Sequence, residues 1–514
     1  MSFYDLDPDV QQRRAFTRLT RYLRDYVHPF HPYLRKRYRE AGVSAARIRT
    51  LEDFRRLPIL EKKDLQSDTQ SFILRPRVPG SPPAAEGMET ESLPRGTLLR
   101  YAARALLNRP PDYMRLVRQD GLKERIRRRG LREWLPVHFH VSGGSSGEPT
   151  PVSFTSYDLN RVIAEMAALA IAHKNPKPGY LPFDITERKL VLFPGAPHIA
   201  FYGAVLAKVL VGSPSFETFG GGVIPTDRQI ALFVRGGFSS VVAIPSYLVH
   251  WLRRAVVLRR EGKVGPLSML RRAILGAEPV GEPLRELIRD LAVEAGAPPG
   301  LRIVQSVGMT EMKWTFFECA ERSGVHLNPR FYFWELLHPE TREPVAPGDP
   351  GVLVFTHIGW RGTVLVRYWT GDLIKGGMVW NRCEHCGYSF PRIFPPICRA
   401  VQDFTKLKGA RVDLGELVEV IRATPGVRHF QVSLESEDLT VEFSRDVLAI
   451  TVVSEAGHAT VQVEQQLRDR VKAFTEVTPD RILFEPDEET FERMLLSNPA
   501  GKARYVVERR AHRQ

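Results

Sequence analysis

For about two hundred residues beyond Pro151 the chain alternates helical and extended patterns, and this alternation limits the fold more than any single motif does. Val162 to His173 has a helical composition, KLVLF (Lys189 to Phe193) reads as a buried strand, and Ile199 to Leu210 is helical again. SSVVAIP (Ser239 to Pro245) is a second strand, Leu248 to Arg260 a helix, AILGAE a strand running into a turn, and Pro283 to Ala295 a helix. Units of this size in this order imply an α/β fold with a mainly parallel sheet covered by helices on both faces. Ligands of such sheets collect at the carboxyl ends of the strands, where the segments GSSG, GAEP and VGMTE fall.

The first of these lies in HVSGGSSGEPTPV, His140 to Val152. Glycines let consecutive backbone N–H groups converge on an anion, the hydroxyls of Ser142, Ser145 and Ser146 add donors, and the prolines keep the segment out of a helix. A flexible Ser/Gly turn is the plainer reading, and without the Walker lysine a P-loop of that type is disfavoured.

Ahead of the loop, apolar and aromatic residues from Val10 to about Glu40 recur at helical spacing, and LEDFRRLPILEKKDLQ (Leu51 to Gln66) reads as helix, turn, helix. RPRVPGSPPAAEG (Arg75 to Gly87) is an irregular excursion, followed by the basic helical stretch Tyr101 to Gly130. After Gly351 the pattern becomes β-like (GVLVFTHI, TVLVRYWTGDL), which suggests a smaller β subdomain over about 325–400. Beyond Phe404 a helix at Leu414 to Ala423, strands near Phe430, Thr440, Ala449 and Ile482, and a helix at Val461 to Phe474 make a compact α+β unit. The expected division is therefore a large domain over 1–402 and a small one over 403–514.

The formal net charge of +14 favours anionic partners, and KERIRRRGLR (Lys123 to Arg132) is its densest block, read first as a solvated helix face. No apolar run reaches membrane-span length and the start carries acids where a signal peptide would be basic, so the expected location is cytoplasmic. Four cysteines in 514 residues exclude a disulfide scaffold, and their clustering late in the chain turns attention to metal.

In order and rough spacing, SGGSSGEPTPV, ILGAEPV, SVGMTEM, YWTGDL, FTKLKGARVDLGELVEVI and NPAGKARYVVERR resemble the adenylate-forming superfamily of acyl-CoA synthetases. LEDFRRLPILEKKDL, ECAERSGVHLN and CEHCG narrow the resemblance to its phenylacetate-CoA ligase and coenzyme F390 synthetase branch. The resemblance covers nearly the whole chain and implies an ATP-dependent acid-thiol ligase. Such an enzyme converts a carboxylic acid, here aryl or otherwise hydrophobic, to an acyl-adenylate and passes the acyl group to coenzyme A.

The motifs then acquire roles. Ser142, Gly144, Ser145, Ser146 and Gly147 would hold the ATP phosphates, and Gly276, Ala277, Glu278 and Pro279 would line the adenine together with Val307, Gly308 and Met309. Glu311, with Thr310 beside it, would hold Mg²⁺ against the phosphates, and Asp372 would accept hydrogen bonds from the ribose. Arg392 and Arg399 compete for the role of a ribose or phosphate arginine. Lys502 would offset the charge that builds as the carboxylate meets the α-phosphate, and the small domain carrying it would then turn about a hinge at Gln402 and Asp403. His198, Phe201 and Tyr202 border the expected acyl pocket, and Lys406 to Arg411 is placed to meet the anionic end of coenzyme A.

Cys383 and Cys386 form a C-x2-C knuckle, and with Cys319 and His326 they give three thiolates and an imidazole, the ligand set of a structural Zn²⁺. His385 and Cys398 are spare candidates. Two departures from the family stand out: Glu148 occupies the usual lysine position of the phosphate loop, and Val307 the usual tyrosine position before Gly-x-Thr-Glu. Rival readings are adenylation with transfer to a carrier-protein thiol or an amine, and a zinc-containing nucleic-acid-binding protein. The latter is disfavoured because no aromatics interleave the arginines. Monomer and homodimer stay equally open.

Overall fold

The computed structural model describes residues 2–77, 90–107, 121–141, 150–171, 187–195, 199–399, 404–407, 410–437, 445–496 and 503–510. The N-terminal helix Pro8–Tyr22 starts where Asp7 accepts the N–H of Asp9 and proline occupies the first turn; it buries Ala15, Leu19 and Tyr22. Leu51–Arg55 is started by a capping box of Thr50 and Asp53, and Lys62–Ser67 follows it, giving the expected helix, turn, helix.

Strands β1 (Pro136–Val141) and β2 (Pro151–Thr155) form an antiparallel hairpin. Its connection, residues 142–149, lies outside the described residues. The main sheet is built from β3 (Lys189–Val191), β4 (Ser215–Glu217), β5 (Ser240–Ala243), β6 (Arg272–Leu275), β7 (Arg302–Met309), β8 (Trp314–Glu318) and β9 (Val325–His326), and is completed later in the chain. Strands β10 (Tyr332–Leu337), β11 (Gly351–His357) and β12 (Tyr368–Ile374) start a second sheet. The hairpin β13 (Met378–Arg382) and β14 (Ser389–Ile393) returns to the first sheet, and β15 (Ile397–Arg399) closes the second. The order of the first sheet is β13-β14-β9-β8-β7-β6-β5-β3-β4, and that of the second β10-β11-β12-β15.

Period-2 alternation explains how the main sheet is covered. Leu190, Val241, Ala273 and Ile303 face a core formed with the helices Thr226–Gly236, Pro245–Arg260 and Glu282–Glu294. Val191, Val242 and Ile274 face the other way, toward the helix Ile199–Val211. Strands β4 to β7 are parallel, as the alternation of strands and helices implies, but β7, β8, β9, β14 and β13 pair antiparallel. Only half of the sheet is therefore parallel. After β7 the chain reverses through a four-residue turn instead of a crossover helix, since Met309 pairs with Trp314.

The C-terminal unit opens with the hairpin β16 (Phe404–Leu407) and β17 (Ala410–Asp413). The helix Leu414–Arg422, β18 (Val427–Ser436), β19 (Asp446–Ser454), the helix Thr460–Thr475 and β20 (Arg481–Phe484) fall where the sequence places them. The expected strand near Thr440 lies among the undescribed residues 438–444. A helix at Glu488–Leu496 and β21 (Val506–Glu508) complete the unit, β21 pairing parallel with β18. Its core, which includes Leu417, Ile421, Val432, Ile450 and Leu467, is separate from those of the preceding sheets.

Candidate active site

Three of the motif segments sit where β6, β7 and β12 deliver them. Gly276 leaves β6 so close to β7 that a Cβ there would press on Ser306 Oγ and force that side chain to shift. Ala277 follows with φ 74°, and the turn presents Glu278 to the first turn of the Pro245–Arg260 helix. There the carboxylate accepts the N–H of Ser246 at 3.0 Å and its hydroxyl at 2.8 Å, as an anion placed at a helix N-terminus should. It also accepts the N–H of Ala503 at 3.2 Å. The chain immediately after Lys502 is thus seated on the GAEP turn.

Val307, Gly308 and Met309 end β7, with Val307 half-buried and opposite Phe316. Thr310 and Glu311 occupy a single 3₁₀ turn and are 8% and 4% exposed. The hydroxyl of Tyr368 donates to Glu311 Oε1 at 3.4 Å, and that of Tyr332 to the Met312 carbonyl at 2.6 Å. Strand β12 therefore touches the glutamate turn through Tyr368. Four residues further on, the same strand carries Asp372, whose N–H donates to Thr370 Oγ1 at 3.0 Å and whose ladder partner is Arg399. Tyr368 and Ser246 are the members of this constellation that motif reading missed. Tyr368 had a signal, because it opens the YWTGDL segment that carries Asp372.

Arg392 is a correction. Its guanidinium donates to the Ser323 carbonyl at 2.6 Å and to Asn381 Oδ1 at 2.6 Å, and it stands 3.7 Å from Cys383 Sγ. It belongs to the cysteine cluster, because β14 pairs with β9 there. Of the two arginines, Arg399 is the one whose backbone lies beside Asp372.

Under the Ile199–Val211 helix lies an apolar cavity walled by Tyr202, Ala204, Val191, Ile274 and Phe317, with Ser306, the neighbour of Gly276, also in its lining. Tyr202 stacks on His138 of β1 with centroids 4.0 Å apart and lies 6.0 Å from His140, while Phe201 packs against Phe219 at 4.8 Å. Burial pushes the His138 pKa down and that of Tyr202 up, so both rings are neutral at pH 7.

The four expected metal ligands are together. The ligand atoms of Cys319, His326, Cys383 and Cys386 all lie within 4.8 Å of one another, and the cysteines are free and buried. Cys319 and Cys383 are 3.7 Å apart between sulfurs, and Cys386 Sγ is 3.5 Å from His326 Nε2. His326 Nδ1 bonds the Gly324 carbonyl at 2.9 Å, which fixes Nε2 as the outward nitrogen. A tetrahedral ion with Zn–S near 2.3 Å requires sulfurs about 3.8 Å apart, and the Cys319–Cys383 pair, at 3.7 Å, has that spacing. Cys398 is elsewhere, its thiol directed to the Leu373 carbonyl, and His385 is exposed. Ser142, Gly144, Ser145, Ser146, Gly147, Glu148, His198, Gln402, Asp403 and Lys502 lie outside the described residues, as does the side chain of Lys406.

No family model matches the chain. It is 27% identical over 502 residues, 94% of each chain, to phenylacetate-coenzyme A ligase of Thermus thermophilus. It is 24% identical over 375 residues to the Escherichia coli protein of the same name, covering 67% of this chain and 74% of that one. Among solved structures, 2-hydroxyisobutyryl-CoA ligase in the postadenylation state with 2-HIB-AMP superposes with a TM-score of 0.69 at 18% identity, over 99% of this chain and 91% of that one. The resemblance carried by the motifs holds in sequence along nearly the whole chain, and the fold agrees with it.

Proposed function

We propose that this chain, a divergent relative of the phenylacetate-coenzyme A ligases, activates an aryl or other hydrophobic carboxylic acid with ATP and transfers the acyl group to coenzyme A. The observation that carries the reading is the seat of Ala503 on Glu278. It brings the residue next to Lys502 onto the turn that would line the adenine, while Tyr368 joins the TGD strand to Glu311. A charged tail with no catalytic part has no reason to end there.

Within that reading the loop 142–149 cradles the phosphates, Glu311 with Thr310 holds Mg²⁺, Asp372 holds the ribose, and Lys502 faces the α-phosphate as the carboxylate attacks. Arg399 replaces Arg392 as the arginine beside the ribose. The apolar cavity bordered by Tyr202 receives the acid, and its neutral rings and aliphatic walls favour an apolar body. The unit 403–514 is the mobile part, turning at Gln402 and Asp403 so that Lys502 leaves before the thiol attacks.

Cys319, His326, Cys383 and Cys386 hold a structural Zn²⁺. The fit rests on their tetrahedral spacing, on the fixed tautomer of His326 and on Arg392 beside Cys383, which favours the thiolate. The metal would pin β8 and β9 to the β13–β14 hairpin.

The test is pyrophosphate exchange with a panel of aryl and fatty acids, with and without coenzyme A. Acid-stimulated exchange that falls by orders of magnitude in Lys502→Ala, with thioester formed on adding coenzyme A, is expected. No stimulation by any acid overturns the reading, and exchange without thioester moves the acceptor to another thiol or an amine.

A further inference from the structure

The apolar cavity under the Ile199–Val211 helix ends in a polar floor. Lys189 opens β3 with its side chain on the face that Val191 shares, and its ladder partner Ser215 opens β4. Ser213 stands two residues ahead of Ser215, and all three line the cavity. This floor is remote from the GAEP turn. Lys189 pairs with Ser240 and Ser240 with Arg272, so Gly276 lies four residues beyond their row, about 13 Å along the strands at a rise of ~3.3 Å per residue. Between the two ends the helix turns Gly203, Ala204 and Ala207 to the cavity, and such small residues leave room for a long, slender body.

Lys189 and Ser213 are each 2% exposed. Lys189 reaches away from the GAEP turn, its Nζ donating to Ser213 Oγ at 2.7 Å and to the Glu187 carbonyl at 3.3 Å. A serine oxygen that accepts from a lysine has its own proton left to give. Among the described residues no acceptor takes that proton. The neighbouring Ser215 is differently placed, since its hydroxyl already donates to Glu217 Oε1 at 2.5 Å. A buried donor without an acceptor is a standing cost to the fold, and an oxygen brought in by a ligand removes it.

Resting on the adenylation reading above, we propose that Ser213 selects the acid by donating to an oxygen at the end of the substrate remote from its reacting carboxyl group. The substrate is then an elongated hydrophobic acid that carries a hydroxyl or a second carboxylate at its far end. Lys189 is a positioning residue, because its bond to Ser213 Oγ occupies a lone pair there and leaves the serine proton for the ligand. An acid with a plain hydrocarbon end fills the same space but leaves Ser213 unpaired, and a site built around such a donor rejects it.

The experiment measures acid-dependent pyrophosphate exchange with matched acids, para-hydroxycinnamic against para-methylcinnamic and ω-hydroxyoctanoic against nonanoic, with nonanedioic acid as the anionic arm and phenylacetic acid as a short reference. The wild type is expected to favour an oxygen-bearing acid over its methyl counterpart by about a hundredfold in kcat/KM, carried by KM. Preference for the hydroxyl or for the carboxylate supports the proposal equally and shows which oxygen the floor takes. Ser213→Ala should erase the preference by raising KM for the oxygen-bearing acids at nearly constant kcat, and Lys189→Met should weaken it, with melting temperatures recorded for both. A wild type that uses the methyl acids as well or better, or phenylacetic acid but none of the elongated acids, overturns the proposal. So does a folded Ser213→Ala that keeps the preference, and these outcomes decide the matter even if Lys189→Met does not fold. Failure of the adenylation reading looks different: no acid of any kind then stimulates exchange.

Discussion

The backbone N–H of Ala503 donates to Glu278 Oε1 at 3.2 Å, across 225 residues of sequence and between two separate cores. The carboxylate also accepts the N–H and the hydroxyl of Ser246. Glu278→Ala strips the acceptor from each and loosens the seat of the C-terminal segment. A loss of about 2 kcal/mol, roughly thirtyfold, is expected in pyrophosphate exchange. Conversion of preformed acyl-adenylate to thioester should change much less, and measuring the two half-reactions separately checks the difference.

Tyr368→Phe removes one hydroxyl and leaves the ring packed in its core. The Glu311 carboxylate loses a donor at 3.4 Å, a long bond that contributes about 0.5–1 kcal/mol. The KM for Mg-ATP should rise about threefold with the melting temperature nearly unchanged, read by steady-state kinetics at varied Mg²⁺.

Zinc content near one equivalent is expected from metal analysis of the purified protein, and Cys383→Ser should bind well under half of that. Because the four ligands come from two segments 64 residues apart that meet at one end of the sheet, metal loss should destabilise the fold by several kcal/mol and weaken ATP binding along with it. A chelated protein of unchanged melting temperature and activity contradicts the assignment.

Acid should unfold the protein through histidines buried in neutral form. Burial pushes His31 down to about 4, where Nε2 donates to the Val364 carbonyl and Nδ1 accepts the N–H of Leu34. His429 is pushed down to about 3 by burial and by Arg253. Between pH 6.5 and 4 the unfolded chain takes up protons that folded His31 refuses, so stability is full above 6.5 and falls as pH drops toward 4, by about 3 kcal/mol for this residue. Urea midpoints at pH 7, 5.5 and 4 should follow that fall, with a shallower slope for His31→Gln.

Sequence patterns located the elements well wherever one physical signal dominated. Helical spacing marked the N-terminal helices, and alternation marked β11 and β12. The antiparallel half of the main sheet was not legible, because β9 has only two residues and β13 joins the sheet from 50 residues further along the chain. The fate of Arg392 was hidden for the same reason: what a strand arginine touches depends on which strand pairs beside it.

The reversal after β7 has a mechanical consequence. β7 is the fifth of nine strands, so Glu311 projects from the middle of the sheet on a tight corner pinned by Tyr332 and Tyr368. Load applied to that carboxylate passes directly into the stiffest part of the molecule. If the C-terminal unit turns as proposed, it turns against a stator, and the place of Glu311 is set by the sheet rather than by the arm.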